Sequence, residues 1–171
     1  MRKYRTLLLT AATAAGIATA AVTGVTAAGA APAARQAVSG TEYVQIMSTS
    51  GAGFSGPGSA IARGAFIAAG QARLGDTRTG TIMFPGGTIV LNHRAGKNSA
   101  HFYPAGCLSL ISQSGSYQIV RGTGRYAGIS GHGTYQLSLE MVGARVHGVC
   151  SSARPPVAQQ ELLRLAGPVR W

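Results

Sequence analysis

The sequence predicts an all-β protein, an eight-stranded antiparallel β-barrel closed around a small lumen. Three observations carry that prediction. Short apolar runs alternate with clusters of Gly, Pro, Asn and Asp, and the 25 glycines of this 171-residue chain gather in those clusters. Within the runs, polar and apolar residues alternate: Leu137, Leu139 and Met141 point one way, and Gln136, Ser138 and Glu140 the other. Such a period of two is what half-buried antiparallel strands show. Between the first run and the last there is no 3.6-residue periodicity. Evenly spaced short strands with turn signals suggest a sandwich or a barrel, and closure removes the exposed edges that invite aggregation.

Along the chain, residues 1–30 read as a cleaved signal peptide. Arg2, Lys3 and Arg5 form a basic start, an Ala/Leu/Thr/Val-rich stretch follows, and Ala28-Gly29-Ala30 supplies the small residues of a cleavage site. The stretch is long enough to serve as an uncleaved anchor, but it is mostly Ala, Thr and Gly and only weakly hydrophobic. Export is therefore expected, with a soluble, secreted product. Residues 31–40 read as a flexible lead-in and 41–150 as the barrel domain. Strands are expected at Tyr43–Thr49, Ser59–Ala69, Gly80–Phe84, Thr88–Arg94, Cys107–Gln113, Ser116–Val120, Gly133–Met141 and Ala144–Val149. The separators, among them Gly56-Pro57-Gly58, Pro85-Gly86-Gly87, Gly96-Lys97-Asn98 and Ser114-Gly115, have the residues that turns demand. Residues 151–171 read as a linker, a short helix over Val157–Leu165 and a tail ending in Trp171, the single tryptophan.

Formal net charge is +11 with only four acids, Glu42, Asp76, Glu140 and Glu161. Three of the basic residues lie in the leader, leaving +8 on the mature chain. The remaining cations, nearly all arginine, are scattered singly, as a GC-rich genome would scatter them. Gathering Arg94, Arg121, Arg125 and Arg145 at one barrel end would make a phosphate or polyanion patch. Stacking aromatics are too few and too dispersed for nucleic acid to be an expected partner. The two cysteines, Cys107 and Cys150, form one disulfide in an exported protein. The span of about 43 residues between them would add on the order of 3–4 kcal/mol by loop entropy.

The densest signal is Arg121–Tyr135, RGTGRYAGISGHGTY, which places five glycines between two strand-like runs. Glycine permits the positive φ of a sharp corner, so Gly122, Gly124, Tyr126 and Gly128 are assigned to a structural corner. The spacing Gly122-x-Gly124-x-x-x-Gly128 does not match a dinucleotide fingerprint, and a strand follows where a helix should open. With FPGGTIVLNHR and CLSLISQSGSYQIV before it, the corner resembles the bacterial secreted branch of the allene oxide cyclase-like and dirigent-like β-barrels. The resemblance covers about residues 41–150. It implies an eight-stranded barrel with a central cavity, assembled as a homodimer or homotrimer. Catalytic residues do not transfer: Glu42 stands near the first strand as a glutamate of the cyclases does, but the rest of their motif is absent, as are the acidic pocket motifs of dirigent proteins.

No Gly-x-Ser-x-Gly elbow or His–carboxylate pairing is present, and the histidines lack metal-ligand spacing. No catalytic residue, metal or cofactor is therefore assigned, and the enzyme question leans to no. The expected ligand site is a mostly apolar lumen anchored by His93 with Tyr103 or Tyr117, holding a small hydrophobic molecule. An isomerase that steers a reactive substrate is the first alternative. A structural or interaction protein with a packed lumen is the second.

Overall fold

The computed structural model describes residues 37–49, 56–74 and 78–171. The expected signal peptide, most of the lead-in, and the turns at Gly51, Gly53 and Gly75-Asp76 lie outside them. The strands are β1 (Ser39–Ser48), β2 (Pro57–Gly64), β3 (Ala68–Leu74), β4 (Thr79–Phe84), β5 (Gly87–Tyr103), β6 (Leu108–Gly122), β7 (Ser130–Val142), β8 (Arg145–Val146), β9 (Val149–Cys150) and β10 (Ala158–Arg170). Eight of them close an antiparallel barrel in the order β1-β10-β7-β6-β5-β4-β3-β2, and β8 with β9 forms a separate two-stranded hairpin. The predicted fold class holds, although four of the expected elements do not.

The largest correction concerns the C-terminal region. Val157–Leu165 was expected as a helix beyond the barrel, and residues 151–171 as linker and tail. Ala158–Arg170 is instead the strand that closes the barrel, inserted between β1 and β7. Burial there has a period of two, with Glu161, Leu163, Leu165 and Val169 inward and Arg164, Pro168 and Arg170 outward. The adjacent Leu162-Leu163 pair imitates a helical face, and tertiary pairing overrides it.

A second correction is that the run Ser59–Ala69 is two strands. It breaks after Gly64, whose φ is +141° and whose missing Cβ would collide with the Thr41 carbonyl. The third correction joins what was expected to be separate. Gly96-Lys97-Asn98 and Ser114-Gly115 are not turns; they lie within β5 and β6, with a register irregularity between Ala95 and Asn98. The expected strand Ala144–Val149 becomes part of the β8–β9 hairpin. There the Cys107–Cys150 disulfide, with Cα atoms 5.5 Å apart, ties it to the turn between β5 and β6.

Inward side chains of all eight barrel strands meet in one apolar cluster. It is filled by pairing small with large across the lumen. In the strand order β2 faces β6 and β3 faces β7. Ala60 and Ala62 on β2 and Ala72 on β3 thus leave room for Tyr117, Tyr135 and Leu137 from the far wall. Tyr117 lies over Gly133 and Tyr135 over Gly115, where a Cβ would strike the rings, so these in-strand glycines make space for aromatic side chains.

Candidate functional site

The corner between β6 and β7 seals one end of the barrel. Gly124 (φ +58°) opens a short 3-10 turn, and its missing Cβ would run into the Gly86 carbonyl of the β4–β5 turn. The two turns are bonded together: the Arg125 amide donates to the Gly86 carbonyl at 2.8 Å, and the Thr88 amide donates to Thr123 Oγ1 at 3.0 Å. This geometry drives the Tyr126 side chain wholly inside. Its ring centroid lies 5.2 Å from that of Phe66, 5.9 Å from Phe84 and 6.2 Å from Trp171. The four rings plug this end of the barrel.

Beside the plug lies a polar layer. Glu42 faces inward from β1 and is almost fully buried, and its Oε2 accepts the Phe66 amide at 3.0 Å. Burial pushes its carboxyl above the usual carboxylate range, opposed in part by nearby backbone amides, that of Phe66 foremost. Tyr117 is pushed up to about 12, first by burial and then by the charge of Glu42. Burial also raises the Tyr126 phenol, and Glu42 adds to the effect while Arg125 opposes it. His93 sits opposite Tyr117 in the β5–β6 register, so the two share the inward face. Its ring meets Tyr135 edge to face at 5.9 Å, and burial lowers its pKa. Tyr135 donates to Gln113 Oε1 at 2.8 Å. Glu42 Oε1, His93 Nδ1 and Tyr126 Oη are buried with no partner, as is Glu161 Oε2 elsewhere on the inner wall.

Of the three residues expected at a lumen site, His93 and Tyr117 come together and Tyr103 does not. Because β5 runs unbroken, Tyr103 stands ten residues beyond His93, about 33 Å along the strand, and is half exposed at its far end. Chemically, the inner layer offers hydrogen-bonding groups in which burial works against the charged forms of Glu42 and His93. Among the described residues no cluster of His, Cys, Asp and Glu could hold a metal, and no helix is long and apolar enough to cross a membrane.

A concavity of about 1,280 Å³ lies along the wall from β5 to β1 through β6, β7 and β10, with Arg78, just before β4, at its edge. Its lining combines inward residues, among them His93, Tyr117 and Val169, with their exposed outward alternates: Asn92 and Arg94 flank His93, and Gln118 follows Tyr117. Arg78, His132 and Arg170 complete the basic part of its lining. Asn92, Gln118 and His132 are successive register partners on β5, β6 and β7 and form one row across the sheet. Thr79 extends that row, donating to Asn92 Oδ1 at 3.1 Å. Arg94, Arg121, Arg125 and Arg145, whose gathering would have made a polyanion patch, serve separate places: Arg125 lies over the Tyr126 ring, and Arg145 caps the β8–β9 hairpin at the Gly148 carbonyl. Arg94 gathers with Arg78 and Arg170 instead. Sequence spacing hid that trio, because closure by β10 is what brings Arg170 alongside.

Comparison of the chain with protein-family models, curated proteins and solved structures finds no match to any of them.

Proposed function

We propose that this is a secreted β-barrel protein that works by binding on its outer wall, with the lumen serving as a packed core. The observation that supports this best is the contrast between inside and outside. Inward side chains of all eight strands and the aromatic plug meet within the barrel, whereas the 1,280 Å³ concavity faces out and carries three arginines. Secretion accords with the leader-like N-terminal sequence and with the Cys107–Cys150 disulfide. A binding role accords with the lack of any nucleophile–base pairing in the inner layer. Native mass spectrometry of the protein collected from the culture medium of its host tests the reading. A mass equal to the chain cleaved near Ala30, oxidised and without a guest, is the expected result. A retained small apolar molecule, lost on denaturation, overturns it.

A second reading places a small ligand in the lumen, held or isomerised as the resemblance to allene oxide cyclase-like barrels implies. The observation favouring it is the set of unpartnered polar atoms around Glu42, His93 and Tyr126, because buried polar groups normally find a partner. The same spectrum separates the two readings, and turnover of a supplied unsaturated epoxide would identify the isomerase.

A further inference from the structure

We propose that the outer trough binds an acidic polysaccharide, a hydroxyl-rich chain bearing carboxylates, laid across the strands. The inference rests on the outer-wall reading above and gives it a ligand class.

The trough has a floor and two rims. The floor is the cross-strand row Asn92, Gln118 and His132, continued by Thr41 on β1 and bordered by Thr79 beside Asn92. From β5 to β1 it crosses four strand spacings, a path of about 19 Å that curves round half of the barrel wall. A short oligomer wrapped on the wall would follow that path, which is far longer than a single anion needs. Arg78 and Arg94 stand along one rim and Arg170 along the other, where its Nε donates to Ser130 Oγ at 3.3 Å. Among the described residues no carboxylate lines the trough: Glu42 and Glu161 are buried inside, and Glu140 is paired with Gln160 and Leu110 toward the far end of β7. Among the described residues the rims are therefore cationic without a facing carboxylate, and a guanidinium fork suits carboxylate recognition.

The floor selects among polyanions. Carboxamides and hydroxyls both donate and accept, so a floor of Thr, Asn and Gln needs a ligand that does the same. Sugar hydroxyls meet that requirement, whereas polyphosphate presents acceptors only and would leave the Gln118 carboxamide oxygen without a donor, that of Asn92 being served by Thr79. Single-stranded nucleic acid wants aromatic faces to stack on; the one aromatic side chain in the lining besides His93 and His132, Tyr117, is turned into the barrel.

Isothermal titration of the secreted protein with oligogalacturonate tests this, with methyl-esterified oligogalacturonate, polyphosphate and single-stranded DNA as comparators. Oligogalacturonate is expected to bind best, and more weakly as salt is added. Arg94→Gln and Arg170→Gln should each weaken binding about tenfold, the effect of one charge-assisted hydrogen bond. Gln118→Leu, which leaves the charge unchanged, should cost about three- to tenfold. Arg154→Gln, on the exposed stretch before β10, carries the same charge change away from the trough and should leave affinity within about twofold. The proposal is overturned if oligogalacturonate fails to bind, if polyphosphate or DNA binds as tightly, if Arg154→Gln weakens binding as much as the rim variants, or if Gln118→Leu has no effect. A guest found in the lumen by mass spectrometry defeats the outer-wall reading. A guest-free barrel that ignores oligogalacturonate defeats only the ligand assignment.

Discussion

Removing the hydroxyl of Tyr126 should stabilise the protein, whereas removing its ring should nearly unfold it. The side chain has no solvent exposure, and its Oη has no hydrogen-bond partner. A buried polar group left unpaired costs about 1–3 kcal/mol, so Tyr126→Phe keeps the packing and sheds that cost. The expected gain is about 1 kcal/mol. Tyr126→Ala also removes a ring in contact distance of Phe66, Phe84 and Trp171. Aromatic-to-alanine changes in cores cost about 3–5 kcal/mol, a large share of the stability of a domain this size. Urea unfolding of the oxidised protein, followed through the fluorescence of Trp171, measures both variants. The reasoning fails if Tyr126→Phe loses more than about 1 kcal/mol, since the hydroxyl would then hold a real partner, such as a buried water shared with Glu42.

Four further outcomes follow from the same geometry. The Glu42 and Glu161 carboxyls are both raised in the folded state by burial, so the native protein holds their protons more tightly than the unfolded chain; stability should fall as pH rises from about 4.5, and Glu42→Gln should reduce that slope, leaving the part due to Glu161, in urea titrations across pH 4–8. Replacing Cys107 and Cys150 by Ser should cost about 4 kcal/mol for a loop of 43 residues, read as a lower urea midpoint. Leu163→Arg should abolish folding while Leu162→Arg, on the outer face of β10, should be tolerated; near-ultraviolet circular dichroism separates the two, and the reverse order would restore the helix. Gly124→Ala should cost at least about 1–2 kcal/mol, because it forces a side chain into a left-handed backbone against the Gly86 carbonyl.

Local chemistry made the barrel legible and hid the way it closes. Leu137, Leu139 and Met141 alternate so cleanly that β7 could be read directly. The corner at Gly122–Gly128 announced itself through glycines that only a positive φ or a close approach requires. Ser114-Gly115 misled because a glycine beside a serine has the chemistry of a turn, and its actual cause, the ring of Tyr135, lies 20 residues away. The inner site was half legible. His93 and Tyr117 share the inward face across the β5–β6 register, whereas Tyr103, the alternative partner, stands at the far end of an unbroken β5. Glu42 was read as a motif remnant, and nothing local distinguishes a glutamate that will be buried from one that will be solvated. Arg170 could not be placed at the outer trough while its segment was read as a tail.

Strand β10 also sets the order of events in time. Its partner β1 emerges first, yet the pairing of Ser39 with Arg170 joins residues separated by nearly the whole described chain. Until Ala158–Arg170 is available, β1 and β7 each present an unpaired edge, and the inner wall around Leu137 is uncovered on one flank. Such distant closure makes folding slow compared with hairpin formation. A nascent chain of this design stays open and threadable until its last strand has left the ribosome. Export as proposed above would exploit that delay.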